Sequence, residues 1–357
     1  MSINIFTTGS SITGVNSHFV FAQVLLDCLL RLKSTKTDKK ELINHCKQQY
    51  HGDSVELSNV HEFQEEYSSE KALWWYTRDT FFYKTLNTAL RNQNIHIIFL
   101  FRKCLSDIQH QLKDHQIKYP LRVYRGQMIF NDELETLKNC QGQFVSVNAL
   151  FSTSNDRQQA LLFLNAANNM NNLKPVLFEI DADPTMASEK PFADISELSE
   201  FGGESEILFM LGSIFCLNNV GYDRDDQVWI IRMTLYSESE HDLKQLIMHM
   251  KKRFDIGEPT LRTLGKILWE MGILDLAEQY FTRFLKKLEP QHPLLRSMYE
   301  DLAHLASQIG DYDKSLQWHE KLISLENEND TNSIGKFIKR DFTILKLTSH
   351  KKMNTPL

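Results

Sequence analysis

Two glutamates, Glu204 and Glu206, are separated by one residue and lie between a Gly-Gly pair and an apolar run that ends at Leu217. The run from Ile207 to Phe209 predicts a buried strand. Side chains alternate along a strand, so both carboxylates are expected on one face at its mouth. Two carboxylates in one pocket can stabilise a positive charge that develops on a sugar ring. The alternative is the charged edge of a solvated strand, because carboxylates are mostly exposed.

An arginine ends a second predicted strand upstream of the glutamates. The segment from Pro120 to Gln127 alternates apolar and polar residues and places Arg125 directly before Gly126. A glycine lets the backbone approach a ligand closely, and a guanidinium matches the oxygens of a phosphate. Arg125 is therefore a candidate phosphate ligand, with a structural ion pair as the alternative.

A serine-rich strand end lies between the arginine and the glutamates. Residues Phe144 to Asp156 predict a strand that closes in Ser-Thr-Ser before a helix, which Asn155 or Asp156 can cap. Ser152 is the candidate site residue of this triplet. A helix-capping hydroxyl is the alternative, and that role suits Ser154 better because it lies next to the predicted cap.

Taken in order, Tyr-Arg-Gly at 124–126, Phe-Ser-Thr-Ser at 151–154 and the Glu-x-Glu pair resemble a known family. This is the Arg-Ser-Glu class of mono-ADP-ribosyltransferases, the arginine-specific kind found in animals and in several bacterial toxins. The resemblance covers about residues 68 to 250 and includes three framing segments: 72–79, 175–183 and 190–196. It implies an α+β fold, with a helical front and a two-sheet β core.

The resemblance implies an NAD(P)⁺-protein-arginine ADP-ribosyltransferase, which moves ADP-ribose from NAD to an arginine side chain and releases nicotinamide. Glu206 would be the catalytic glutamate that counters positive charge on the ribose. Glu204 would orient the incoming arginine, because a planar guanidinium fits a carboxylate in a fork. Arg125 would bind the pyrophosphate or ribose side of NAD. Ser152 would hold Glu206 or the nicotinamide ribose in register.

The resemblance also implies two further NAD contacts, and it leaves the acceptor open. The backbone of Gly126 would bind the nicotinamide amide. Phe201 would pack against NAD or the acceptor, with a plain core phenylalanine as the alternative. The sequence Gly-Gly-Glu-Ser-Glu at 202–206 departs from the more acidic run that is common in the family. NAD hydrolysis and a catalytically weak scaffold therefore remain alternatives to arginine modification.

The amino-acid composition limits which partners and ligands can be expected. The 357 residues carry a net charge of -6 and 42% hydrophobic residues, so the chain can bury a core but lacks the basic footprint of nucleic-acid or anionic-membrane binding. Five scattered cysteines without Cys-x-x-Cys spacing predict reduced thiols and argue against a zinc site. His241 and His249 lack a convincing third ligand, so no metal is expected.

Neither end of the sequence predicts a targeting segment or a lipid anchor. Gln23 and Asp27 interrupt the apolar stretch from Phe19 to Leu30, which has no basic region before it and predicts an amphipathic helix. The last seven residues, Lys-Lys-Met-Asn-Thr-Pro-Leu, are polar, unlike a lipid-anchor tail. These features predict an intracellular, cytoplasmic protein.

Periodicity predicts helices before the strands and after them. Apolar residues recur at helical spacing from Glu70 to Arg91 and from Ile95 to Gln116, where the aromatics are expected to fill the core. The lysine-rich stretch from Lys33 to Lys40 predicts a solvated loop. The Asn-rich residues 168–172 predict a mobile flap.

After His241 the pattern is purely helical and repeats with an offset of 38 residues. Leu264-Gly265, Gly272 and Ala277 reappear as Leu302-Ala303, Gly310 and Ser315. The pattern resembles the tetratricopeptide repeat and implies a groove for a protein partner; a coincidental helical hairpin is the alternative. The predicted organisation is an N-terminal helical or linker segment at 1–67, the transferase domain at 68–250, repeats at 258–329 and a polar tail at 330–357.

Overall fold

The computed structural model describes residues 5–7, 17–165, 172–187, 189–200, 205–236 and 241–329. The chain divides into two units, residues 1–257 and 258–357. The first unit has an α+β architecture, in which a group of helices precedes a mixed sheet.

A group of helices forms the front of the first unit. Its members are α1 Ser17–Arg31, α2 Lys36–Gln49, α3 Ser54–Glu66, α4 Ala72–Thr77, α5 Phe81–Arg91 and α6 Ile95–Asp114. Helix α6 is central, since α1, α2, α4 and α5 all pack on it. The predicted helical character of this region is confirmed, although the segment after Glu70 breaks into two helices between Thr77 and Phe81.

The predicted solvated loop from Lys33 to Lys40 is wrong beyond Thr35, because α2 begins at Lys36. A capping box starts the helix: the Thr35 N–H donates to Asp38 Oδ2 at 2.8 Å, and the Asp38 N–H donates to Thr35 Oγ1 at 3.3 Å. Asp38 is only 1% exposed and forms an ion pair with the equally buried Arg102. Lys36, Lys39 and Lys40 are exposed on this helix, and Lys33 is exposed before it.

Aromatic side chains fill the centre of the helical front. Phe63 of α3 contacts Trp75 at a ring-centroid distance of 5.2 Å, and Phe82 contacts Phe101 at 5.2 Å, both edge to face. The predicted core role is confirmed for the fully buried Trp75, Phe81, Phe82, Phe99 and Phe101. Trp74 is half-buried, and the guanidinium of Arg78 lies 4.3 Å from its ring centroid.

Two buried polar side chains tie the early helices to the rest of the unit. Glu56 of α3 accepts the N–H of Phe81 at 2.7 Å and the ammonium of Lys84 at 2.8 Å, so it caps the start of α5. Gln23 of α1 donates to Ser146 Oγ at 2.6 Å and to the carbonyl of Gly212 at 3.3 Å. Helix α1 is thus hydrogen-bonded directly to the sheet region, and α3 to the start of α5.

Within the described residues, nine strands form one mixed sheet, in the order β1-β3-β8-β9-β5-β2-β4-β7-β6. The strands are β1 Ile5–Thr7, β2 Leu121–Phe130, β3 Phe144–Val147, β4 Phe151–Ser154, β5 Leu173–Ala182, β6 Phe192–Asp194, β7 Glu206–Phe209, β8 Ser213–Asp223 and β9 Val228–Tyr236. All the pairings are antiparallel except β5 with β9. The two halves of the sheet meet at β2 and β4 through a single residue pair, Tyr124 with Ser154.

Two short helices complete the sheet region, α7 Asn131–Asn139 and α8 Arg157–Asn165. Strand β5 is buried on both faces, because Val176 and Phe178 point into the main core while Leu177 packs with Ala160 of α8. This explains its continuous apolar run. The predicted flap at 168–172 lies outside the described residues except for Asn172.

Helix α9, His241–Arg253, ends the first unit, and the second unit contains two helical hairpins. The first pairs α10 Leu261–Glu270 with α11 Leu274–Leu285, and the second pairs α12 Leu295–Ile309 with α13 Tyr312–Asn329. A Cβ on Gly265 would lie 2.6 Å from the ring of Phe281, so the first hairpin packs closely. The helical periodicity is confirmed, while membership of the tetratricopeptide family stays a prediction.

None of the described helices is long and apolar enough to cross a membrane. In the same part of the chain, no group of three or more His, Cys, Asp or Glu side chains is placed to hold a metal ion.

Candidate functional site

A cavity of about 420 Å³ lies where the helical front meets the joint between β2 and β4. This volume falls within the range of roughly 300–1,000 Å³ that is typical of small-ligand pockets. Its lining includes Arg125 and Gly126 from β2, Ser152 from β4, Glu206 from β7, Tyr76 and Tyr83 from the front, and Gln159 and Phe163 from α8. Four of the six predicted site residues therefore share one cavity. The other two, Phe201 and Glu204, lie outside the described residues.

Glu206 begins β7, one strand beyond the serine triplet. Its backbone partner across the sheet is Ser154, which in turn pairs with Tyr124 of β2. Directly opposed residues in a sheet share a face. The half-buried Glu206 therefore lies in one cross-strand row with Ser154 and Tyr124, and all three line the cavity. The Glu206 N–H donates to Ser196 Oγ at 3.2 Å, which fixes the start of the strand.

Arg125 bridges the two halves of the sheet beside their single backbone pair. Its Nη1 donates to the backbone carbonyl of Ser152 at 2.5 Å, and its Nε donates to Gln127 Oε1 at 3.1 Å. The guanidinium carbon lies 5.1 Å from the ring centroid of Phe151. The loss of hydration lowers the pKa of Arg125, whereas Tyr83, Tyr76 and Glu206 favour its charged form. Arg125 therefore places a positive charge in the cavity and also positions β4.

The two serines of the triplet have different surroundings. Ser154 Oγ accepts the N–H of Asp156 at 3.0 Å and donates to Gln159 Oε1 at 2.8 Å, so it ties the end of β4 to α8. Asp156 accepts the N–H of Gln158 at 2.8 Å and caps the helix. The capping role expected for Asp156 is thus observed, whereas Ser154 accepts the N–H of the capping residue and not that of a residue in the helix. Ser152 is half-buried and lines the cavity, and its contact with NAD or Glu206 stays a prediction.

Gly126 has a packing role that the sequence alone did not reveal. A Cβ at this position would lie 1.9 Å from the backbone carbonyl oxygen of Ala160 and 3.0 Å from Leu164 Cγ. Helix α8 therefore approaches β2 more closely than any side chain at this position would permit. The predicted contact between the Gly126 backbone and nicotinamide is a separate role and stays a prediction.

Two tyrosines of the helical front complete the cavity, and the sequence reasoning missed both. The rings of Tyr76 and Tyr83 lie 5.5 Å apart, and the Tyr76 hydroxyl donates to Asn87 Oδ1 at 3.4 Å. Burial raises the pKa of Tyr76, so its hydroxyl stays protonated. The signal in the sequence was the two tyrosines themselves, whose hydroxyl groups are polar in a stretch that is otherwise rich in Phe and Trp. Their position over the sheet follows from the packing of α4 and α5 on α6.

Comparison with protein families identifies the first unit. The family model described as "ADP-ribosyltransferase exoenzyme" matches residues 52–238, more than half of the chain. The chain belongs to this family. It is therefore assigned to the ADP-ribosyltransferases, which use NAD as substrate and modify proteins. Its fold is the ADP-ribosyltransferase fold, followed by an all-helical region.

Three solved structures that are similar to this chain are bacterial ADP-ribosyltransferases. Plx2a, an ADP-ribosyltransferase toxin from Paenibacillus larvae, is 17% identical, with 56% of this chain and 97% of that chain covered and a TM-score of 0.38. The ADP-ribosyltransferase HopU1 of Pseudomonas syringae is also 17% identical, with 57% and 99% covered and a TM-score of 0.38. Vis toxin from Vibrio splendidus is 20% identical, with 58% and 88% covered and a TM-score of 0.35. The comparison with curated proteins finds no match.

Replacement of Gly126 by alanine tests the close approach of α8. We expect Gly126→Ala to lower the free energy of unfolding by about 1–3 kcal/mol, because the new methyl group overlaps the Ala160 carbonyl oxygen. Urea unfolding measures this change. Gly221→Ala in β8 is the matched control, since a Cβ there meets only an ordinary contact at 3.5 Å. Equal stability of the two variants would contradict the packing role of Gly126.

Proposed function

We propose that the chain is an NAD-dependent protein-arginine mono-ADP-ribosyltransferase that transfers ADP-ribose to an arginine side chain and releases nicotinamide. The observation that carries the proposal is the convergence of Arg125, Ser152 and Glu206 on one cavity from three neighbouring strands. These residues lie far apart in the sequence and meet only through the sheet order β2-β4-β7.

The cavity has the chemical groups that NAD requires. Arg125 supplies a fixed cation for the diphosphate, which a planar guanidinium binds better than the point charge of a lysine. The aromatic rings of Tyr76, Tyr83 and Phe163 supply flat apolar surface for the nicotinamide and adenine rings. A cavity that is part charged and part aromatic suits a dinucleotide.

Glu206 is proposed as the catalytic carboxylate. Transfer breaks the glycosidic bond between nicotinamide and ribose, and the bonding electrons leave with nicotinamide, so positive charge develops on the sugar. A carboxylate at the cavity wall stabilises that charge in the transition state more than in the ground state. Ser152 is proposed to hold the ribose or Glu206 in register.

Arginine is proposed as the acceptor because of Glu204, which precedes Glu206 by two residues. A carboxylate there would orient the planar guanidinium of the acceptor and receive the proton that its nitrogen loses as the new bond to ribose forms. Water as the acceptor needs no such partner, so NAD hydrolysis is the second candidate function. A transferase-like scaffold without turnover is the third. Incubation with labelled NAD and a small guanidine separates the three.

Glu206→Gln is expected to lower turnover by about a thousandfold while NAD binding stays nearly unchanged, because the amide keeps the shape but removes the charge. Release of nicotinamide measures turnover, and equilibrium titration measures NAD affinity. Glu197→Gln, at an exposed position after β6, is the control and should keep wild-type activity. Wild-type turnover in Glu206→Gln would refute the catalytic assignment.

Glu204→Gln is expected to reduce transfer to a small guanidine at least about tenfold more than it reduces NAD hydrolysis, since only the guanidine acceptor needs the carboxylate. Chromatography of the products separates the guanidine adduct from free ADP-ribose, so each variant supplies its own internal control. Equal losses of the two reactions would argue against arginine as the acceptor.

The helical hairpins of the second unit are proposed to select the protein substrate or a partner. Stacked helical pairs present an extended surface for protein segments, and every described residue of the cavity lining lies in the first unit. Selection and catalysis would then belong to different units of the chain.

Removal of the second unit tests this division. The chain that ends at Gly257 is expected to cleave NAD and to label a small guanidine at rates within about threefold of the full-length protein, because it retains every described cavity residue. In a cell lysate it should label fewer proteins than the full-length protein does. Circular dichroism confirms that the shortened chain is folded. Unchanged labelling of all the targets would exclude a selecting role for the hairpins.

A further inference from the structure

Helix α8 is one wall of the cavity, yet few of its side chains are buried. It packs over β4, β2 and β5 and contributes Gln159, Ala160 and Phe163 to the lining. Among its described side chains, Ala160 and Leu164 are buried and Leu161 packs against the same cluster, whereas Leu162 and Phe163 are 66% and 62% exposed. Apolar burial therefore holds only one side of this wall. An ionic contact supplements it.

The first residue of α8, Arg157, supplies an ionic anchor. Its Nη1 lies 2.8 Å from Asp226 Oδ2, its Nε donates to Glu179 Oε1 at 3.5 Å, and its Nη2 lies 3.7 Å from Asp223 Oδ2. A cation at the start of a helix is unfavourable, because the N-terminal end of the helix dipole is positive. Three carboxylates around Arg157 offset this cost. Loss of hydration opposes the charge, but Asp226 and Glu179 raise the pKa of Arg157.

Two of the three carboxylates that surround Arg157 are held by further hydrogen bonds. Asp223 accepts the N–H groups of Asp225 at 2.9 Å and Asp226 at 3.4 Å, which sets the turn between β8 and β9. Glu179 is only 8% exposed and also accepts Arg232 Nε at 3.0 Å. The anchor therefore joins α8 to the buried Glu179 of β5 and to the β8–β9 turn, in which Asp226 is exposed.

The anchor is aligned with the proposed catalytic carboxylate across the sheet. The register pairs Glu206 with Ser154, Ser154 with Tyr124, and Tyr124 with Glu179. Opposed residues share a face, and neighbouring strands lie about 4.8 Å apart, so Glu179 lies roughly 14 Å from Glu206 on the same face. Helix α8 covers the strands on the Glu179 side of this row.

We propose that Arg157 is a positioning residue, which holds α8 as the wall for the part of NAD remote from the bond that breaks. This inference rests on the proposed function of the cavity. Glu206 lies on β7 at one side, so the remainder of the dinucleotide extends over β4 and β2 beneath Gln159 and Phe163. Loss of the anchor loosens this wall without altering the groups at the reacting bond.

Hydrogen exchange of the full-length protein without NAD tests the anchor itself. In Arg157→Ala we expect the amides of residues 157–165 to exchange about tenfold faster than in wild type. Arg232→Ala is the matched control: Arg232 also pairs with Glu179 but lies on β9, so α8 exchange should change by less than about twofold. Unchanged exchange in Arg157→Ala, or equal acceleration in both variants, would overturn the proposal. Thermal unfolding verifies that both variants are folded.

Steady-state kinetics test the consequence for NAD. Arg157→Ala should raise the KM for NAD about tenfold and change kcat by less than about twofold, whereas Arg232→Ala should leave both near wild type. Asp226→Asn, which removes the closest partner of Arg157, should reproduce part of the KM increase. A lower kcat at unchanged KM would overturn the positioning role. Absence of NAD turnover in the wild-type protein would instead refute the proposed function, and the exchange experiment would still decide whether Arg157 holds α8.

Discussion

The incomplete pairing of β2 with β4 is the constraint on which the cavity depends. Only Tyr124 and Ser154 pair across this joint, so the strands diverge on either side of them. The Arg125 guanidinium enters the opening and donates to the Ser152 carbonyl. A hydrogen bond that involves a charged group contributes about 1.5–3 kcal/mol, enough to hold two strands together where their backbones no longer pair. Full pairing would close the space in which a ligand can lie.

Positive and negative side chains occupy separate positions in and around the cavity. Arg125 places a cation against the sheet, Glu206 places a carboxylate two strands further on, and Tyr76 and Tyr83 lie near the Arg125 cation. The second carboxylate of the row, Glu179, is neutralised by Arg157 and Arg232. Glu206 is thereby distinguished from Glu179 by its surroundings, although both lie on the same face of the sheet. A carboxylate that faces a cavity can respond to charge on a ligand, whereas one between two guanidiniums cannot.

The sequence motifs predicted the centre of the site better than its walls. Arg125, Ser152 and Glu206 could be placed together because each lies in or at the end of a segment with a strand pattern that is readable locally. The predicted strand ends were wrong for two of them, since Arg125 lies in the middle of β2 and Ser152 lies within β4. Tyr76 and Tyr83 could not, since their place over the sheet depends on helix packing that has no local signature. The start of α2 was missed because the capping box of Thr35 and Asp38 lies within a run of lysines. The packing role of Gly126 could not be predicted either, because it depends on a contact that is distant in the sequence. The carbonyl oxygen of a residue 34 positions later leaves no room for a side chain there.

Glu56 has a consequence for how the first unit can be divided. This carboxylate belongs to α3, yet it accepts the first N–H of α5, the helix that carries Tyr83 into the cavity. Gln23 of α1 likewise reaches Ser146 and Gly212 in the sheet region. A recombinant fragment that starts at residue 68, where the sequence motifs begin, would discard both side chains. A recombinant fragment of the enzyme therefore has to start upstream of α1, so it includes helices that contribute no described residue to the cavity.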